Sequence, residues 1–231
     1  MLRLARSHRY GAMVFFAALT GARLGACLGV QQGDVNTARK SLHIQRQLTF
    51  LTGQGVVVGT LKTPGSDRLL PCTPRLAKLL ERTVTERRAV LQYLGHREAD
   101  GSWFFLNSEG ALLSPRLVEK AFDDLMERAG LAEVYPAQER PGREQGEGGG
   151  EAKRGYQHKR CAVSFHDLRS TLLTQLGDLG VDETTLGRIA GHGPKNVTQG
   201  YDRSTAERMR AALTAFEAII FKGLEKEEEG Q

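Results

Sequence analysis

The sequence contains few cysteines, the residues that build disulfide frameworks and many zinc sites. Its 231 residues include only three cysteines, Cys27, Cys72 and Cys161, an odd number with wide spacing. Neither a zinc-binding spacing nor a disulfide framework can be assembled from them. A reducing compartment is the simplest setting for such a chain, and we expect the protein to be cytoplasmic.

Long apolar segments are also lacking. The uncharged run of residues 11–22 is too short to cross a bilayer as a helix. A basic start and Leu24-Gly25-Ala26-Cys27, which has the form of a lipoprotein cleavage site, leave a secreted lipoprotein as an alternative. The charge of Arg23 disfavours insertion into a membrane. We therefore interpret the run as a buried helix and expect no membrane association.

The composition is that of a globular protein with a basic surface. Hydrophobic residues make up 40% and charged residues 26% of the chain, which is typical of a domain with a real core. The 32 lysines and arginines exceed the 27 acidic residues, so the net charge is +5. Several acids lie together in residues 225–229, and the rest of the chain is correspondingly more basic. This balance favours a polyanionic partner.

Residues 163–201 concentrate reactive side chains at predicted helix ends. His166-Asp167-Leu168-Arg169 opens an apolar-periodic helix, and a second helix begins behind Asp182. Gly191-His192 ends this second helix, and Tyr201 follows nine residues after His192. Side chains at helix ends can meet at a shared ligand instead of packing into a core.

These residue types suit the attack of a phenol oxygen on a phosphodiester. Tyrosine has a reference pKa of about 10, so it needs a nearby base and a cationic environment to act as a nucleophile. An arginine offers a planar fork that matches two phosphate oxygens. A histidine can accept the phenol proton or donate to the phosphate, because its pKa lies near neutrality.

The order of these motifs resembles the tyrosine recombinase, or phage integrase, family. His166-x-x-Arg169, Gly191-His192 and Tyr201 match the second half of the family pattern. Thr20-Gly21-Ala22-Arg23 is similar to its first arginine box, and Thr60-Leu61-Lys62-Thr63 to its hairpin lysine. A single H-x-x-R recurs by chance, whereas five boxes in order over nearly the whole chain make the resemblance specific.

The resemblance implies a catalytic role for six residues. These are Arg23, Lys62, His166, Arg169, His192 and Tyr201. Tyr201 would be the nucleophile and would hold the DNA as a 3′-phosphotyrosine, with His166 as the base. Arg23 and Arg169 would bind the non-bridging oxygens, and His192 would hydrogen-bond the phosphate. Lys62 would protonate the 5′ leaving oxygen. No cofactor and no metal are implied, because the phosphotyrosine keeps the bond energy and the cationic side chains stabilise the charge.

The resemblance also implies double-stranded DNA as the partner and a homotetramer on two DNA sites. Arg116 and Lys120, on one predicted helix, are candidate contacts to the DNA backbone. The family usually carries an acidic residue three positions after the first arginine. Ala26 occupies that position here, so a group that would orient Arg23 is missing.

The predicted fold is α+β, a mostly helical single catalytic domain over residues 1–222 with a small antiparallel sheet. Helices are predicted over 7–22, 24–32, 74–94, 116–129 and 205–221, and strands over 41–50, 55–62 and 67–72. The last two strands are expected to form a hairpin with Lys62 beside its tip. The Gly-, Glu- and Arg-rich residues 136–157 are expected to be a disordered insertion, and 223–231 an acidic tail. The C-terminal helix could pack on its own domain or on a neighbouring protomer.

The length of the chain leaves its activity open. Family members usually carry a helical DNA-clamping domain before the first arginine box, but only 22 residues precede Arg23. We therefore expect that domain to be absent, in a fragment, a truncated element product or a minimal member. A site-specific DNA recombinase or integrase is the main hypothesis. The alternatives are a non-catalytic DNA-binding remnant, a type IB topoisomerase and the secreted lipoprotein.

Overall fold

The computed structural model describes residues 1–51, 53–61, 66–97, 102–134, 159–161, 163–192 and 203–229. The α-helices are α1 (Leu2–Ala5), α2 (Gly11–Thr20), α3 (Leu24–Leu28), α4 (Pro74–Tyr93), α5 (Pro115–Arg128), α6 (Asp167–Asp178), α7 (Glu183–Ala190) and α8 (Arg203–Glu229). The strands are β1 (Val35–Asn36), β2 (Ser41–Ile44), β3 (Arg46–Leu51), β4 (Gly55–Thr60), β5 (Arg68–Pro71), β6 (Ala132–Val134) and β7 (Lys159–Cys161). The prediction of a mostly helical α+β fold with a small antiparallel sheet is confirmed.

The apolar run near the N-terminus is a buried helix, as predicted. Nine of the ten residues of α2 are buried, including Phe16, which is fully inaccessible. Cys27 in α3 is buried in the same core. Within the described ranges, no helix combines the length and the apolar character needed to cross a membrane.

Two hydrophobic clusters organise the domain. The larger cluster surrounds α2 and takes side chains from α3, β2, α4 and α5. The smaller cluster joins α6, α7 and α8 through Leu172, Leu176, Ile189, Leu213 and Phe216. α2 contacts α6, so the two clusters adjoin along these helices.

The strand pairing differs from the predicted hairpin. β2 and β3 follow one another along residues 41–51, and each half has its own partner. β4 pairs antiparallel with β3, from Arg46 opposite Thr60 to Leu51 opposite Gly55, and β5 pairs antiparallel with β2. Gly53 and Gly55 have positive φ angles and allow the tight turn that brings β4 back along β3. The prediction of a hairpin between β4 and β5 is therefore wrong, because β4 pairs with β3 and β5 pairs with β2.

The C-terminal helix packs on its own domain. Met209, Leu213 and Phe216 of α8 are each only 2% exposed, within the cluster that also contains α6 and α7 residues. The sequence left open whether this helix packs on its own domain or on a neighbouring protomer, and in this structure it packs on its own domain. α8 also runs to Glu229, so most of the segment expected as an acidic tail continues this helix. The predicted insertion at 136–157 lies outside the described residues.

Glu217 of α8 caps the N-terminus of α4. Its carboxylate accepts hydrogen bonds from the backbone N–H groups of Arg75 (3.2 Å) and Leu76 (3.1 Å), and from the Thr73 hydroxyl. The first N–H groups of a helix have no partner within the helix, and their partial positive charge favours a carboxylate. The cap therefore comes from a residue more than 140 positions away in the sequence.

Replacing Glu217 should destabilise the fold. In Glu217→Ala the α4 N–H groups and Thr73 lose their acceptor in a buried place, and we expect a loss of about 2–3 kcal/mol in the free energy of unfolding. Urea denaturation measures this loss. Glu207→Ala is the matched control on the same helix, because Glu207 is exposed and its ion pair among the described residues is with Arg203, four residues away. Its cost should stay below about 1 kcal/mol, and equal losses for the two variants would contradict the capping role.

Candidate active site

The first arginine box forms the junction between α2 and α3. The Thr20 hydroxyl donates to the Phe16 carbonyl (2.6 Å) and accepts from the Ala22 N–H (3.2 Å), which closes the end of α2. Gly21 follows in the left-handed conformation with φ +61°, and a Cβ there would lie 2.9 Å from Leu172 Cδ2. The chain then extends at Arg23, the residue before α3. Arg23 is thus placed at a junction that only glycine fits comfortably.

α3 rests directly on the backbone of β3. A Cβ on Gly25 would lie 2.6 Å from the Leu48 carbonyl oxygen, and one on Gly29 would lie 2.7 Å from the Arg46 carbonyl oxygen. These two glycines, four residues apart, share one face of the short helix. Their close approach to β3 sets the position of α3 and therefore of Arg23 at its start.

Arg169 is a buried anchor between three elements. Its side chain is 4% exposed and projects from α6. Nη1 donates to the Gly21 carbonyl at 2.6 Å, and Nη2 donates to the Ala190 carbonyl at 2.5 Å. These carbonyls lie at the C-terminal ends of α2 and α7, where the helix dipole favours a cation. Burial, together with the charge of Arg23, lowers the pKa of Arg169 to about 10, so the group stays charged at neutral pH.

His192 joins the two arginines. α7 ends at Gly191, which has φ +73°, and the His192 N–H donates to the Gly187 carbonyl at 2.9 Å. The ring Nε2 lies 3.3 Å from Arg23 Nη2 and 3.2 Å from Arg169 Nη2. Guanidinium nitrogens only donate, so Nε2 must accept both hydrogen bonds, and the neutral ring then carries its proton on Nδ1. Burial and the charges of Arg169, Arg23 and Arg68 lower the pKa of His192, in agreement with a neutral ring.

The two arginines differ in how firmly they are held. Arg169 is fixed by two carbonyls, whereas the described residues offer the Arg23 guanidinium one hydrogen-bond partner, His192. In the described ranges neither arginine is paired with a carboxylate. The group therefore combines a rigid and an adjustable guanidinium with uncompensated positive charge, which suits a phosphodiester.

His166 shares the start of α6 with Arg169, and the Arg169 backbone N–H donates to the His166 carbonyl at 3.0 Å. It is exposed at the start of α6, one turn before Arg169. Its side chain lines a groove with Leu24 of α3 and with Glu119 and Asp123 of α5. In the described part of the chain its ring has no hydrogen-bond partner.

Three of the six predicted catalytic residues therefore meet. Arg23 and Arg169 each contact the His192 ring, and the His166 ring is not hydrogen-bonded to any of the three in the described ranges. Lys62 and Tyr201 lie outside the described residues. The roles of all six remain predictions.

The other residues that the sequence singled out lie on α5 and α3. Arg116 and Lys120 are exposed and four residues apart on α5, so they share one face of that helix. Their contact with DNA remains a prediction. Ala26 is buried, and its N–H donates to the Arg23 carbonyl at 2.8 Å. Its methyl group cannot orient the Arg23 guanidinium as a carboxylate would.

Sequence reasoning missed a third arginine. Arg68 at the start of β5 is 8% exposed. Besides burial, its charge lowers the pKa of His192, and the charge of Arg169 in turn lowers the pKa of Arg68. The hydroxyl of Ser66, two residues earlier, donates a hydrogen bond to the Gly191 carbonyl at 3.4 Å. The signal was the alternation of β5, which puts Arg68 on the same face as the buried Leu70.

The mostly helical fold, with two arginines meeting at one histidine, defines a catalytic domain of the tyrosine recombinase type. The chain belongs to the Phage integrase family, whose sequence profile matches residues 3–208. It is similar to tyrosine recombinase XerC of Anoxybacillus flavithermus, with 23% identity over 90% of this chain and 54% of that protein. It is also similar to the ICEBs1 integrase of Bacillus subtilis, with 34% identity over 38% of this chain and 24% of that protein.

Solved structures share the fold. The Tn1549 transposon integrase, in a complex with a circular intermediate DNA, matches with a TM-score of 0.61 and 17% identity over 91% of this chain and 62% of that chain. The present chain spans about half the length of the XerC protein that it matches.

Proposed function

We propose that this chain is a site-specific recombinase that cleaves and rejoins DNA strands through a 3′-phosphotyrosine. The observation that carries the proposal is the meeting of Arg23 and Arg169 at His192 Nε2, with no carboxylate paired to either arginine in the described ranges. A site with this charge would be occupied by an anion, and a phosphodiester offers two non-bridging oxygens to two guanidinium groups. Membership in the Phage integrase family supports the same reaction.

In the proposed reaction His192 hydrogen-bonds the phosphate through a ring N–H, and each of the other five residues has one role. The Tyr201 oxygen attacks phosphorus, and the bond between phosphorus and the 5′ oxygen breaks. The phenol proton passes to His166, and Lys62 supplies a proton to the 5′ oxygen. Arg169 and Arg23 stabilise the negative charge that develops on the non-bridging oxygens. Attack by a 5′-hydroxyl of a partner strand on the phosphotyrosine reverses these steps and rejoins the DNA.

We expect double-stranded DNA to be the partner. The net charge of +5, the exposed pair Arg116 and Lys120, and the DNA complex of the structurally similar Tn1549 integrase support this. Because phosphate contacts supply most non-specific affinity, binding should weaken steeply with salt. A tetramer on two DNA sites would be the active assembly, and light scattering of the DNA complex would show it.

Covalent trapping tests the proposal. The protein is incubated at low salt, without added divalent metal, with nicked DNA that carries the ends of its own genetic element. We expect a protein–DNA adduct on a denaturing gel. Tyr201→Phe should lose the adduct entirely, because phenylalanine has no nucleophilic oxygen. Tyr93→Phe is the matched control, since Tyr93 is 90% exposed at the end of α4. An adduct that survives in Tyr201→Phe would overturn the assignment of the nucleophile.

A second candidate is a DNA-binding protein without catalysis. The observation that favours it is Ala26, which stands where an orienting acid is expected and leaves the Arg23 guanidinium with His192 as its one hydrogen-bond partner among the described residues. Binding of the nicked DNA with no adduct would point to this function. Adding a separately expressed DNA-clamping domain from a related recombinase would then decide, because an adduct that appears only in its presence restores the recombinase.

A further inference from the structure

Arg68 is a buried arginine with two unused donors. Its Nη1 donates to the Ser66 carbonyl at 3.2 Å. Its Nε and Nη2 are buried and have no hydrogen-bond partner among the described residues. These two nitrogens form the edge of the guanidinium that binds a carboxylate or phosphate with two parallel hydrogen bonds. An unpaired buried charge is costly, so its presence requires an explanation.

The charges around Arg68 increase this cost. Burial lowers its pKa to about 9, and the neighbouring Arg169 and Arg23 act in the same direction. Among the described residues no carboxylate perturbs the pKa of Arg68, and the one group that favours its charge is Cys27, whose own pKa burial raises to about 12. The Cys27 thiol is therefore protonated at neutral pH and provides no counter-ion. Arg23, Arg68 and Arg169, which we term the arginine cluster, hold three positive charges together.

The position of Arg68 connects it to the other site residues. β5 pairs with β2, with Arg68 opposite Ile44, so the arginine sits on a strand of the sheet and not on a loop. Ser66, whose carbonyl binds Arg68, also donates to the Gly191 carbonyl next to His192. The start of β5 and the end of α7 are thereby linked. Nε and Nη2 are closed to solvent, so Arg68 acts behind the residues that would touch DNA.

We infer that Arg68 is a positioning residue of the phosphodiester site, a buried third charge that acts through Arg169 and His192 and favours the transition state over bound DNA. The inference rests on the proposed function. A phosphorane-like transition state carries more negative charge than the ground-state phosphodiester, so a fixed charge behind the site helps the reaction more than it helps binding. The protein retains the charge at the expense of its stability.

The test variant is Arg68→Met, which has a similar length and no charge. The melting temperature should rise by about 2–5 °C, because a buried uncompensated charge is removed. The rate of adduct formation on nicked DNA should fall by about 10- to 100-fold, while the Kd for the same DNA changes by less than about threefold. Arg68→Lys keeps the charge and should recover at least part of the rate.

A second buried arginine provides the control. Arg87 of α4 is 3% exposed and donates to the Trp103 carbonyl at 3.0 Å and to the Gln32 side chain. Arg87→Met should lower the melting temperature and leave the rate of adduct formation unchanged. A fall in both stability and rate for Arg68→Met would show a merely structural role and overturn the inference. Higher stability with an unchanged rate would overturn it as well.

An anion titration separates this inference from the proposed function. If the wild-type protein forms no adduct, the melting temperature is measured at about pH 8 in inorganic phosphate, whose dianion carries the extra negative charge of the transition state, and in dimethyl phosphate, a monoanion like the DNA diester, at equal ionic strength. A phosphate-specific rise that shrinks in Arg68→Met supports the role of Arg68 in an anion site, even though the recombinase proposal has failed. No phosphate-specific rise, or an equal rise in the two proteins, overturns it.

Discussion

Arg169→Met should lose both DNA cleavage and stability. Loss of a fixed guanidinium from the phosphate site is expected to reduce the rate of adduct formation by about 10²- to 10³-fold. The Gly21 and Ala190 carbonyls would lose their buried donor, while removal of the buried charge offsets part of this cost. We expect a net loss of about 2 kcal/mol in the free energy of unfolding. Single-turnover adduct formation and urea denaturation measure the two effects.

Arg23→Met is the matched comparison. Arg23 is partly exposed, and in the described ranges its guanidinium contacts only the His192 ring. The rate should fall by a similar factor, while stability should stay within about 0.5 kcal/mol of wild type. Arg169→Lys should not restore the rate, since a single ammonium cannot reproduce the planar fork between two carbonyls and the phosphate. Equal losses of stability in Arg23→Met and Arg169→Met would contradict the distinction between an adjustable and a fixed arginine.

Gly25→Ala should disturb the site from a distance. The new Cβ would lie 2.6 Å from the Leu48 carbonyl oxygen, so α3 must move away from β3. We expect a loss of about 1–3 kcal/mol in the free energy of unfolding. Because Arg23 begins α3, the rate of adduct formation should fall more than tenfold in the fraction that stays folded.

Gly177→Ala separates the effect of this clash from the general effect of replacing a helical glycine by alanine. Gly177 lies inside α6, and a Cβ there meets nothing within 4 Å. Alanine should therefore stabilise the protein by about 0.5–1 kcal/mol and leave the rate unchanged. A Gly25→Ala protein as stable and as active as wild type would show that α3 does not position Arg23.

The sequence predicted the helices well because their signals are local. Apolar periodicity placed α2 and α5 within a few residues of their observed bounds, and Ser114 caps α5 as its position suggested. Strand pairing is not local. The sequence pattern of residues 55–60 is compatible with pairing to β3 or to β5. The tight turn at Gly53 and Gly55 favours pairing with β3, which is the pairing observed.

The site was predicted in part. The motif order identified Arg23, Arg169 and His192, but Arg23 and His192 are 169 residues apart, so their contact at one nitrogen required the fold. Arg68 and Glu217 were missed for a common reason. Both are buried charged residues, in a strand and a helix that the sequence pattern predicted correctly. Because charged residues are mostly exposed in proteins, the sequence alone indicates a surface position for them. Their roles become visible only when their partners from distant elements are known.

The packing of α8 has a consequence for how two copies of this chain could associate. Glu217 and the apolar face of α8 bind surfaces that every copy possesses. An exchange of α8 between two copies would rebuild the same cap on α4 and the same cluster with α6 and α7, with little change in contact free energy. The balance between closed monomers and swapped copies would then depend on protein concentration and on residues 193–202, which join α7 to α8.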